Sequence, residues 1–120
     1  MTVSTWTRVC GLDTLTPDRG VAALVDDVAV AIFRLSGEHD ELVCIGNVDP
    51  FSGASVLSRG IIGSKGDVVT VASPVYKQRF AVHTGACLDD ETVSVPAYPV
   101  RVVDGFVEVS TPAAGDGVAV

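Results

Sequence analysis

The chain has 120 residues, 48% of them hydrophobic, and a formal net charge of −7. That length suits one domain with its own core, the apolar content excludes a disordered chain, and the acidity speaks against nucleic acid or an anionic membrane surface as partner. No apolar run approaches the roughly 20 residues of a membrane helix, and Met1–Cys10 lacks the basic-then-apolar order of a secretion signal, so a cytoplasmic location is expected.

Residues 1–5 are expected to fray. Trp6–Cys10 alternates and predicts a strand, and Leu12–Pro17 is rich in turn formers. Val21–Val25 and Val28–Leu35 are β-branched runs separated by Asp26-Asp27, a hairpin signal. Both faces of Val28–Leu35 are largely apolar, which predicts burial on both sides. A polar loop at 36–40 precedes a strand at Leu42–Ile45. Ser52–Leu57 suggests a turn of helix. Gly60, Gly63 and Gly66 suggest tight loop geometry with positive φ rather than a phosphate cradle, because the strand-like run Asp67–Val71 follows them.

Arg79–Val82 reads as a strand turning at Thr84-Gly85, and 88–95 as an acidic connector. Tyr98–Val103 and Phe106–Val109 read as strands around Asp104-Gly105, a type I′ turn signal. The domain is placed at 1–110 and a mobile tail at 111–120. Eight to ten short strands with almost no helix predict an all-β sandwich or small barrel.

Catalytic machinery is not apparent. Cys10, Cys44 and Cys87 form no CxxC pair. Cys10 and Cys44 fall in apolar runs and read as small core residues, whereas Cys87, beside a glycine turn, reads as more exposed. His39 and His83 sit at turns and read as surface histidines without triad partners.

Two proline-bearing segments bracket the middle of the chain: Asp49-Pro50-Phe51-Ser52-Gly53-Ala54 and Ser73-Pro74-Val75-Tyr76, the second followed by Phe80 and Thr84-Gly85. This frame resembles the paired loops of a Rieske [2Fe–2S] domain, where Cys-x-His and Cys-x-x-His hold the two irons. Here Asp49, Phe51, Ser73 and Tyr76 stand at the ligand positions, so no metal is expected. The loop wording is similar to that of the small subunit of assimilatory NAD(P)H-dependent nitrite reductase, over about Trp6–Val109.

The resemblance implies small stacked antiparallel sheets, with about 45–85 as an inserted sub-region. It implies a non-catalytic small subunit in the reduction of nitrite to ammonium, with no cofactor of its own. Its partner would be a large subunit carrying FAD, sirohaem and [4Fe–4S]. The aromatic and basic residues near the loops, Phe51, Arg59, Tyr76, Lys77 and Arg79, are the candidate contacts to that partner. A stand-alone Rieske-type ferredoxin with unusual ligands and a β-barrel interaction module stay open as alternatives.

Overall fold

A computed structural model describes residues 5–36 and 41–111. Its central strand is Val28–Leu35 (β3), whose alternating side chains serve two cores. Ala31, Phe33 and Leu35 point to one side, and Val30 and Ile32 to the other. Phe33 and Ile32 are both fully buried, each worth roughly 2–3 kcal/mol of apolar transfer. The expectation of burial on both faces is therefore met, and the reason is three-layer packing.

Among the described residues ten strands form three antiparallel sheets. The middle sheet joins Gly20–Val25 (β2), β3, Glu41–Gly46 (β4) and Ala97–Tyr98 (β8) in that order. One outer sheet joins Thr5–Gly11 (β1), Phe106–Thr111 (β10) and Val100–Val103 (β9). Its Val107 and Val109 pack with Val30, Ile32 and Cys44. The other outer sheet joins Ile61–Lys65 (β5), Val68–Ala72 (β6) and Arg79–Ala81 (β7). Its Val71 and Phe80 pack with Phe33 and Ile45.

Both expected hairpins form, and their turns have the required backbone. Asp26 and Asp27 sit at φ 50° and 67°, Asp104 and Gly105 at 53° and 79°, the two positive values of a type I′ turn. The glycine series resolves differently. Gly63 lies inside β5, and only Gly66 of the three takes a positive φ (62°), where it turns β5 into β6. Ser52–Leu57 is not helical; a short 3-10 turn covers Leu57–Arg59 instead.

The run 98–103 is not one strand. Pro99 divides it, so that Tyr98 pairs with Cys44 in the middle sheet while Val100–Val103 pairs with β10. Cys87 is buried, against expectation, because it bridges to Phe80 inside the core. Cys44 is buried as expected, and burial pushes its thiol up to about 12. Thr111, placed in the tail by the sequence reading, is the last residue of β10 and pairs with Thr5. His39, most of the 36–40 loop, residues 1–4 and the rest of the tail lie outside the described residues.

Candidate functional site

β4 ends at Gly46 and delivers the chain into the first proline-bearing loop; β6 delivers it into the second. The two loops share one hydrogen-bond scheme. In the first, Asp49 N–H donates to Ala54 O (2.8 Å) and Gly53 N–H donates to Asp49 O (2.7 Å). In the second, Ser73 N–H donates to Gln78 O (2.9 Å) and Lys77 N–H donates to Ser73 O (3.0 Å). The fifth residue of each turn is left-handed, Gly53 at φ 76° and Lys77 at φ 68°. The first side chain of each accepts from the amide two residues on: Phe51 N–H to Asp49 Oδ1 (2.8 Å) and Val75 N–H to Ser73 Oγ (3.3 Å). Asp and Ser favour this local bond, which closes each loop from within.

The same backbone scheme recurs a third time. Ala81 N–H donates to Ala86 O (2.8 Å), Gly85 N–H donates to Ala81 O (2.7 Å), and Gly85 sits at φ 81°. This repeat is not among the expectations drawn from the residues. Its signal is the likeness of Asp49-Pro50-Phe51-Ser52-Gly53-Ala54 to Ala81-Val82-His83-Thr84-Gly85-Ala86. In both, the hydroxyl of the fourth residue accepts from the sixth amide: Ala54 N–H to Ser52 Oγ, Ala86 N–H to Thr84 Oγ1.

The first two turns face each other. Ser73 Oγ–H donates to Asp49 Oδ2 at 2.6 Å, and both residues are 0% exposed. Burial raises the Asp49 carboxyl, but the bonds from the Ser73 hydroxyl, the Phe51 amide and Ser52 outweigh it and hold the group below its usual range. It is therefore a buried carboxylate, ionised at neutral pH. Phe51 leans inward, packing on the core with its ring 6.3 Å from that of Phe80. Tyr76 points outward and is 60% exposed, with Val75 and Lys77 exposed beside it.

The loop pair thus holds Asp49, Phe51 and Ser73 turned inward and Tyr76 turned outward. The expected basic cluster is less uniform. Arg79 is tied to Asp89, both through its guanidinium (3.1 Å) and through its backbone N–H (2.8 Å), which raises the arginine and lowers the carboxylate. Arg59 lies on the 3-10 turn and lines a separate cleft with Asp18, Arg19 and Ile61. His83 is exposed, as expected, with Nε2 3.0 Å from Glu41 Oε1.

A [2Fe–2S] centre of the Rieske kind needs two thiolates and two imidazoles. The four positions here offer a carboxylate, a hydroxyl bonded to it, a phenyl ring and a phenol. Both carboxylate oxygens already accept hydrogen bonds. Among the described residues no group of three or more His, Cys, Asp or Glu could hold a metal ion. The donor set does not fit such a cluster.

Residues 5–110 match the family described as the Rieske-like [2Fe-2S] domain. The chain is 45% identical over 106 residues to the nitrite reductase (NADH) small subunit of Escherichia coli K12, covering 88% of this chain and 97% of that one. A crystal structure assigned as the NADH-dependent nitrite reductase small subunit of Mycobacterium tuberculosis is 50% identical. It superposes with a TM-score of 0.85, covering 91% of this chain and 96% of that one. The chain is also 36% identical over 102 residues to part of the nitrite reductase [NAD(P)H] large subunit of Klebsiella oxytoca, covering 85% of this chain and 10% of that one. With a Rieske-like architecture and relatives of this likeness and coverage, the chain belongs to the small subunits of NADH-dependent nitrite reductase.

Proposed function

We propose that this chain is the cluster-free small subunit of a nitrite reductase that reduces nitrite to ammonium with NADH, and that it acts by docking on the large subunit. Electron transfer runs through carriers of the large subunit: FAD, sirohaem and [4Fe–4S]. This chain supplies shape and contact, and its place is the cytoplasm, where the nicotinamide pool is found. The observation that carries the cluster-free reading is the 2.6 Å bond between Ser73 and Asp49. Side chains that satisfy each other at that distance leave no room between them for iron.

The docking reading is supported by the Klebsiella oxytoca relative, in which a segment like this chain is part of the large subunit itself. A domain fused in one protein and separate in another keeps its partner within reach by a linker in the first case and by a surface in the second. The surface is the loop tip, where Val75 (42% exposed) and Tyr76 stand out, with Val48 (43%) exposed at the entry to the first loop. Exposed aromatics of this kind carry a large share of interface energy.

The test is anaerobic co-purification of both subunits, with iron assayed on the separated small chain. The expected result is no visible charge-transfer band and no stoichiometric iron on the small chain. Affinity for the large subunit is expected to fall by about tenfold or more in Tyr76→Ala. Two irons per small chain would overturn the cluster-free reading, and unchanged binding by Tyr76→Ala would overturn the docking tip.

A further inference from the structure

We propose that Asp49 has taken over the mechanical part of a metal centre: its carboxylate is the cross-link that holds the 73–78 loop in place against the 49–54 loop. The consequence for docking, that Val75 and Tyr76 are thereby held ready for a partner, rests on the function proposed above. The cross-link itself does not.

Three observations carry it. First, the Asp49–Ser73 bond joins side chains 24 positions apart in sequence, and both residues are 0% exposed. A charge-assisted hydrogen bond shielded from water is among the stronger kinds. Second, the carboxylate divides its two oxygens between the loops. Oδ1 accepts from Phe51 N–H in its own turn, and Oδ2 accepts from Ser73 across the gap. Ser73 does the same in reverse, accepting from Val75 N–H while donating to Asp49. The two turn frames are therefore locked in series.

Third, the molecule contains its own control. The 81–86 turn makes the same backbone bonds around Ala81, a residue with no side-chain oxygen. A turn of this shape therefore forms without an acceptor at its first position. What Asp49 and Ser73 add is the connection between turns. The chemistry also selects the residue type. Asparagine could bridge the loops only with Ser73 turned from donor to acceptor, and the bond would lose its charge assistance.

Hydrogen–deuterium exchange of the free full-length chain tests this. In Asp49→Ala, the Val75 and Lys77 amides across the gap are expected to exchange about ten to a hundred times faster. In Ser73→Ala, Phe51 and Gly53 respond likewise, while Gly85 in the third turn is unchanged by either. Asp49→Asn, which keeps the size and loses one acceptor, is expected to loosen the 73–78 loop with a smaller effect. It serves as the variant to read should Asp49→Ala fold poorly. Exchange that rises only within the substituted loop would overturn the cross-link. Cross-loop exchange coupling together with unchanged large-subunit binding by Tyr76→Ala would uphold the cross-link and overturn the docking reading alone.

Discussion

The 49–54 and 73–78 turns and the 81–86 turn follow one backbone plan but are secured differently. The first two carry oxygen at their leading positions and hold each other through Asp49 and Ser73. The third carries Ala81 and is held by packing against the chain that follows. Val95 N–H donates to Gly85 O at 2.8 Å, and a Cβ on Gly85 would run into the Val95 carbonyl oxygen. At Gly53 a Cβ would meet nothing within 4 Å. One local geometry can thus be fixed by polar chemistry between turns or by close backbone approach, and the method of fixing decides which substitutions hurt.

The largest effect is expected at Gly85. Gly85→Ala adds steric overlap to an unfavourable φ and is expected to cost about 3–5 kcal/mol in denaturant unfolding. A loss below about 1 kcal/mol would show that the third turn has slack the geometry does not suggest. Next comes Asp49→Ala, which orphans the buried Ser73 hydroxyl and the Phe51 amide. It is expected to cost about 2–3 kcal/mol, with Ala81→Gly as a comparison that leaves the Asp49–Ser73 link intact.

The pH dependence separates the turns further. The folded Asp49 carboxyl titrates below its unfolded value of about 3.9. Its stabilisation is thus in full force well above that unfolded value and is lost as pH falls through the folded one. Melting temperatures of the parent chain and Asp49→Asn are expected to converge as pH drops from 7 toward 3. A gap that stays constant would mean that the fold leaves the carboxyl's affinity for protons unchanged. The smallest effects are at the left-handed fifth positions of the first two turns. Gly53→Ala is expected to lose about 1 kcal/mol, and Lys77→Gly to gain up to about 1 kcal/mol by relieving φ 68°.

Much of the fold could be read from local chemistry. Asp26-Asp27 and Asp104-Gly105 announced their hairpins because two-residue turns demand residues that tolerate positive φ. β3 announced its burial on both sides by having two largely apolar faces. What stayed hidden depends on partners distant in sequence. Tyr98 and Val100 are two residues apart and equally apolar, yet they pair in different sheets; no periodicity encodes that choice. Arg79 was grouped with the candidate contacts at the loops, and its partner, Asp89, lies ten residues on, across the third turn. Cys87 looked exposed because a glycine turn precedes it, whereas the strand it bridges to is in the core.

At the loops, family likeness groups Asp49, Phe51, Ser73 and Tyr76, and the fold brings their turns together in space. The division into a buried pair bonded to itself and two rings, one tucked in and one presented, required coordinates. Side-chain direction within a turn follows from backbone bonds that residue types alone do not specify.

The chain leaves the middle sheet at Gly46 and regains it at Pro96, where Gly46 N–H donates to Pro96 O at 2.8 Å and Cys44 then pairs with Tyr98. Departure and return are neighbours on the same strand pair. Everything between them is tied to the middle sheet at this joint and again through the shared core, where Val71 and Phe80 pack with Phe33 and Ile45. A graft of the corresponding segment from a relative must therefore match two seams at once, the Gly46–Pro96 joint and the core face around Phe33 and Ile45.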